Sequence, residues 1–300
     1  MDIYGAVYDM KTIKNNLKII LNSFLGSDVV FKLLRHFYLN RLFPYVQAVT
    51  YHDTSNGEYN NLRKQLEWYQ KNFVNCNLAD LRGLLTNGVW NYDKPGLIIS
   101  FDDGLRSNFD VALPLLEEYG FTGWFMVPTG FVDLDPTKQV EFAKRNLIDF
   151  HSESSCERIA LSWDELREIE RRGHVATCHS MNHKRLSEKL TQPELEIEIR
   201  NAKQLMEVRL GHEVDLFTWV GGEEWAYSRR AFDLMKESGF NYIFCTNCKC
   251  ITAKQSPLFL ERYHVDPDYS HNQLRFVLGG VYDIMYLQKR RRICEKTELA

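Results

Sequence analysis

Leu97-Ile98-Ile99-Ser100-Phe101-Asp102-Asp103-Gly104 runs from apolar, β-favouring residues straight into two adjacent carboxylates and a glycine. That pattern reads as a buried strand and its exit into a turn. Neighbouring acids repel each other and lose hydration on burial. A folded chain that buries them needs a compensating cation or a division of labour between them. Taken alone, the pair reads as a polar turn capping a strand. It does not stand alone, because His179-Ser180-Met181-Asn182-His183 offers two imidazoles at i, i+4. On a helical turn that spacing sets both on one side, able to grip one metal ion. An Asp, His, His set leaves open positions on Zn²⁺, as a catalytic site does, and the second carboxylate is then free to act as general base.

Outward from that stretch, strand and helix signals alternate. Val46 to Tyr51 reads as a strand ending at His52-Asp53, followed by helical spacing at Leu62, Leu66 and Tyr69. A short helix is predicted over Asp80 to Leu85, with Gly88 as its stop. Beyond the 97–101 strand, Val111 to Tyr119 reads as a helix closed by Gly120, with Pro114 in its first turn or kinking it. Thr122 to Val127 is the next strand, turned by Pro128-Thr129-Gly130. Residues 133–160 look polar and irregular, an insertion. Capping boxes open helices at Ser162 and Thr191, and Ser228 caps another. The remaining strands are predicted at Val175–Cys178, Val214–Val220, Phe240–Cys245 and Leu258–Tyr263.

Such alternation argues for an α/β protein with a parallel sheet and helical crossovers. Polar and glycine-rich residues follow the strand ends, where a barrel or an open α/β sheet collects its site. One catalytic domain is predicted over 45–285, with a helical N-terminal extension over 1–44 and a basic C-terminal tail over 286–300. The extension carries apolar residues at helical spacing (Ile13, Leu17, Ile20, Leu21; Val30, Leu33, Leu34, Phe37) and an excess of lysine and arginine. Its two helices are expected to pack on the body of the protein, with attachment to an anionic membrane face as the alternative. Lys289-Arg290-Arg291-Arg292 reads as a solvated charge run.

Composition sets the outer bounds. With 300 residues and 44% hydrophobic content the chain can bury a full core, and a net charge of -3 gives no global basic field for nucleic acid. No apolar run reaches the roughly 18 residues of a spanning helix. Met1 to Gly5 lacks the opening of a secretory signal. Seven scattered cysteines do not form a disulfide framework, so a reducing cytoplasm is the expected location. Cys245, Cys248 and Cys250 lack a fourth thiolate or imidazole at suitable spacing and read as structural.

Ser100-Phe101-Asp102-Asp103-Gly104, followed by Gly173-His174 and the His179–His183 segment, resembles the polysaccharide deacetylases, the NodB-homology carbohydrate esterases. The likeness spans about 46 to 285, with Tyr51-His52 and Ser162-Trp163 in matching places. It implies a distorted (β/α)7 barrel and hydrolysis of an N-acetyl, sometimes O-acetyl, group on a sugar. It implies Asp102 as base, and Asp103, His179 and His183 as ligands of a divalent metal, Zn²⁺ being the first choice. The chain departs from the family's third motif: Phe217-Thr218-Trp219-Val220-Gly221-Gly222 lacks its Arg, Pro and aromatic residue. No Leu-x-His segment occurs near the C-terminus. Leu260-Glu261-Arg262-Tyr263-His264 stands there instead, so Arg262 is expected to restrain Asp102 and His264 to protonate the leaving amine. Tyr51, His52 and Trp219 are expected to meet substrate, and backbone N–H groups near Pro128-Thr129-Gly130 to stabilise the oxyanion. The expected partner is an acetylated sugar or glycan precursor, a lipid-linked one included, at or near a membrane. The rival readings are a catalytically silent sugar-binding member, or a metallohydrolase cleaving a formyl or non-sugar amide.

Overall fold

Side chains of successive strand residues point to opposite faces, and this chain uses both faces. The computed structural model describes residues 27–150, 158–253 and 255–297. Its sheet contains β1 (Tyr45–Tyr51), β2 (Val74–Asn75), β3 (Gly96–Phe101), β4 (Gly123–Val127), β5 (Val175–Cys178), β6 (Leu216–Thr218), β7 (Tyr242–Cys245), β8 (Ile251–Thr252), β9 (Leu260–Glu261) and β10 (Tyr263–His264). The order β1-β3-β4-β5-β6-β7-β9 is parallel throughout. β10 then returns to β1, pairing Val49 with Tyr263 and Thr50 with His264, so residues 260–264 close the barrel. This is the mixed α/β, barrel-like (β/α)7 architecture that the family resemblance implied.

The two faces bury two different cores. Val46, Ala48, Ile98, Trp124, Met126, Leu216, Phe244 and Leu260 fill the barrel interior. Val49, Tyr51, Leu97, Ile99, Phe101, Phe125, Val127 and Phe217 face the surrounding helices and join the larger cluster. Above the inner apolar layer the same register carries Thr50, Ser100, Thr177, Thr218 and Arg262, all buried. Polar residues thus replace hydrophobic ones toward the C-terminal ends of β1, β3, β5, β6 and the 260–264 segment. Helices begin where capping boxes predict, at Ser162 and Thr191 and also at Asn77 and Ser270. Gly88, Gly120 and Gly211 close three of them in the left-handed conformation.

Several expectations are corrected. Residues 133–160 hold the helix Pro136–Arg145, started by Asp135, whose carboxylate accepts from Thr137 N. Pro114, as expected, lies in the first turn of its helix, Leu113–Tyr119, directly after a widened turn at Asn108–Ala112 that was not foreseen and whose looser hydrogen bonding accommodates the proline. The strand expected over 214–220 is only Leu216–Thr218. The C-terminal basic run is not a solvated tail: Leu287–Thr297 is a helix, and Arg290 is buried with its guanidinium donating to Asn247 O, Cys248 O and Asp283 O. At the other end, the helix Asp28–Phe37 is capped by Ser27 and buries Phe31 in the main core. The helix expected around Ile13 to Leu21 lies outside the described residues. Among the described residues, no helix is long and apolar enough to cross a membrane.

Candidate active site

The strand ends deliver the chemistry to one cleft of about 720 Å³. Asp102 follows β3 in the inward register of Ile98 and Ser100. Asp103 would point the opposite way, but its φ of 73° turns the backbone so that both carboxylates reach the cleft. A left-handed non-glycine residue costs on the order of 1 kcal/mol, a strain found mostly where function imposes it. Gly104 continues the turn at φ 66°, where an added Cβ would also press on Val127 at 3.3 Å.

His179 and His183 do not sit on a helical turn, as their spacing first suggests. Residues 179–183 form a loop after β5, with Ser180 at φ 66° and His183 at φ 56°. The loop is tied on both sides: Thr129 N donates to Ser180 O at 3.0 Å and Gly130 N to Met181 O at 2.8 Å. Those two N–H groups are therefore spent on the loop and are not free for an oxyanion, contrary to the sequence expectation. On the other side, buried Glu198 accepts from Asn182 N and Asn182 Nδ2, both at 2.8 Å. Glu198 lies in a π-turn, Ile197–Asn201, which interrupts the helix started at Thr191.

Asp103, His179 and His183 bring ligand atoms within 4.8 Å of one another, all buried. His183 Nε2 is 3.0 Å from Asp103 Oδ1 and His179 Nε2 is 3.8 Å from it. Both Nδ1 atoms face backbone carbonyls, Thr218 O at 2.9 Å and Asn146 O at 2.7 Å. A carbonyl only accepts, so each Nδ1 carries the proton and each Nε2 turns its lone pair toward the centre. Asp103 Oδ1 has no hydrogen-bond donor there. Three acceptors converging on one buried point call for a cation, and a nitrogen–nitrogen–carboxylate set suits a divalent metal.

Asp102 is held differently. Burial alone would raise its carboxyl, yet the Arg262 guanidinium keeps it well below the usual carboxylate range. Arg262 grips it in a fork, Nη1 to Oδ1 at 2.6 Å and Nη2 to Oδ2 at 2.8 Å. The fully buried guanidinium also donates to Ser100 Oγ at 2.9 Å, Thr50 Oγ1 at 3.1 Å and Thr246 Oγ1 at 3.3 Å. Burial drives His179 down to about 4. It also works against a charge on His183, but adjacent Asp103 outweighs it and raises that imidazole overall.

Other sequence candidates divide by register. His264 and His52 line the cleft, their rings 5.2 Å apart, and His264 Nε2 is 3.2 Å from Asp266 Oδ1. Tyr51 and Trp219 do not. Each sits one residue out of the inward phase set by Thr50 and Thr218, so both face the helices and are buried. Tyr51 OH donates to Gln65 Oε1 at 2.5 Å and accepts from Tyr69 OH at 2.8 Å, and Trp219 packs on Tyr227. Neither is positioned to meet a sugar.

The geometry can be set beside known proteins. The family model described as polysaccharide deacetylase matches residues 91–243, half of the chain. The chain belongs to the polysaccharide deacetylase family. Similar solved structures include the Streptococcus pyogenes deacetylase PplD in complex with acetate, at 17% identity, covering 78% of this chain and 98% of that one with a TM-score of 0.62. IcaB from Ammonifex degensii matches at 18% identity over 77% of this chain and 96% of its own, TM-score 0.61. A de-N-acetylase from Aggregatibacter actinomycetemcomitans matches at 17% over 78% and 100%, TM-score 0.62. At these identities the likeness is one of fold. No curated protein matches the chain.

Sequence reasoning missed several contributors to this deacetylase-family site. The hydroxyls of Thr50 and Thr246, the Asn146 carbonyl and the Glu198 brace carry no motif, and Ser100 stood in the Asp-Asp motif without an assigned role. The signal that could have found Thr50 is its place two residues after Ala48 on the inward face of β1, paired with Ser100.

Proposed function

We propose that this chain is a metal-dependent deacetylase that removes an N-acetyl, or O-acetyl, group from a sugar. The observation that carries the reading is the convergence of three buried acceptors, Asp103, His179 and His183, beside a carboxylate fixed by Arg262. Asp103 and the two Nε2 atoms would hold the ion. A divalent ion there polarises the acetyl carbonyl and eases ionisation of water. Asp102, ionised at every physiological pH, accepts the proton of the attacking water. Arg262 orients that carboxylate and touches no substrate atom. His264, on the cleft wall beside His52, donates a proton to the departing nitrogen. Zn²⁺ suits the imidazole-rich donor set.

Acetate release from N-acetylglucosamine oligomers tests this. Chelation is expected to abolish release and added Zn²⁺ to restore it. Asp102→Asn should keep metal binding while kcat falls on the order of a thousandfold. Release that survives chelation would end the scheme. Metal binding without turnover on any acetylated sugar would favour a silent sugar-binding member, and turnover of formyl or non-sugar amides alone would favour the other rival.

Peripheral attachment to an anionic membrane from a cytoplasmic location is part of the same proposal. It is supported by Val29, Leu33 and Phe37, exposed at i, i+4, i+8 on the helix Asp28–Phe37, with Lys32 and Arg41 nearby in sequence. Cosedimentation with phosphatidylserine vesicles should fall when the three are changed to serine.

A further inference from the structure

The walls of the cleft carry a charge pattern that the proposed reaction does not use. Besides the Asp102–Asp103 pair, Asp53, Glu58, Asp149, Glu223, Asp266 and Asp268 line the cleft, against Arg185 and Lys289. Arg185 and Glu223 lie within 3.8 Å and offset each other, and His264 lies 3.2 Å from Asp266, so Asp53, Glu58, Asp149 and Asp268 are the wall acids set against Lys289. Lys289 sits 5.1 Å from the centre of the Tyr286 ring, on one side of the mouth. Asp149 and Asp268 are exposed on different segments of the rim. On the floor, Asp103 presents a buried oxygen with no hydrogen-bond donor. A divalent ion bound there offsets the floor but leaves the walls acidic.

A polar cleft lined by one sign of charge concentrates ligands of the other sign and repels its own. Deacetylation of an N-acetylhexosamine converts a neutral amide into an amine that is protonated near neutral pH. Every completed turnover on an oligomer therefore leaves a cation next to the remaining acetylated residues.

We propose that the cleft selects hexosamine oligomers whose neighbouring residues already carry free amino groups, and rejects glycans bearing carboxylate, phosphate or nucleotide groups close to the reacting sugar. The acidic walls act as flanking subsites for ammonium groups. The inference rests on the deacetylase reading for the identity of the reacting group. It concerns the residues on either side. A substrate with a pyrophosphate would have to hold that group outside the rim.

Calorimetric binding separates the two questions, because it needs no turnover. The ligands are a fully de-N-acetylated glucosamine tetramer, the N-acetylglucosamine tetramer and a galacturonate tetramer, each titrated into Zn²⁺-loaded protein. At 20 mM NaCl the cationic tetramer is expected to bind about tenfold more tightly than the neutral one, with the anionic tetramer weakest. At 500 mM NaCl the gap should close, since screening acts within a few ångströms at that salt. The double variant Asp149→Asn, Asp268→Asn should narrow the gap at low salt, with circular dichroism checking that it folds. Equal affinities at low salt, or tightest binding of the galacturonate, would overturn the proposal. Absence of acetate release with the affinity order intact would instead count against the deacetylase reading alone.

Discussion

Arg262 is fully buried, yet it solves its own desolvation problem and that of Asp102 together. Its fork meets both carboxylate oxygens, three hydroxyls accept from the outer nitrogens and Cys245 O accepts from Nε. Because the folded-state pKa of Asp102 is depressed, the pair contributes stability above the ordinary Asp range and loses it as pH falls through the lowered value. Arg262→Met would leave the carboxylate buried and unpaired. Destabilisation of roughly 3–5 kcal/mol is expected by urea titration, and the acid limb of the pH–rate profile should move upward. Arg262→Lys keeps a charge but not the fork. A fall in kcat of about 10- to 100-fold with near-native KM is expected, and an unchanged kcat would show that the fork orients nothing. Glu261, the preceding residue, has the opposite character. Burial raises its carboxyl to about 7, and one of its oxygens has no partner. A raised carboxyl contributes stability below its unfolded value, which is lost as pH climbs toward 7. Thermal melts of Glu261→Gln should therefore lose less stability between pH 5 and pH 8 than the parent, by on the order of 2 kcal/mol.

At the level of elements, the loop 179–183 is the part whose shape must be imposed. Two of its five residues are left-handed without being glycine, and neither prefers that state. The loop is kept there by Thr129 and Gly130 on one side and by Glu198 on the other. Gly130 approaches so closely that an added Cβ would lie 2.8 Å from Met181 O. Glu198→Ala is expected to weaken Zn²⁺ binding about 10- to 100-fold in chelator competition. Glu198→Gln, which can still accept from Asn182 N, should recover much of it. If the two variants bind Zn²⁺ equally well, Glu198 does not position the loop. The π-turn that carries Glu198 costs regular hydrogen bonding, a common trade at functional helices.

Across the whole molecule, closure of the barrel and closure of the site are one event. Residues 260–264 pair with β7 through their first half and with β1 through their second, and Arg262 lies at the changeover. The C-terminal helix reinforces that seam from outside. Arg290 donates to three backbone carbonyls, and Asp283 accepts from Tyr263 OH at 2.5 Å and Cys250 N at 3.1 Å. Arg290→Ala would strand these carbonyls. A loss of roughly 2–4 kcal/mol in urea titration is expected, with the ligand triad unaltered as judged by Zn²⁺ affinity.

How much of this was legible in the chain follows from the range of each interaction. The alternation of strand and helix, the capping boxes and the glycine stops are local, set by neighbours within about four residues. Asp102, Asp103, His179 and His183 were legible because their chemistry is costly unless shared. Tyr51 and Trp219 were misassigned because aromatic character at a strand end does not fix phase, whereas the inward register does. Arg290 was misassigned because a basic run says nothing of the carbonyls that receive it. The local pattern therefore placed most strands and helices, though not Pro136–Arg145 or Leu287–Thr297, and singled out four side chains that converge on the cleft. Only the closed barrel decided which faces point inward, which backbone groups brace the histidines and which acids surround the cleft, because those contacts join residues far apart in sequence.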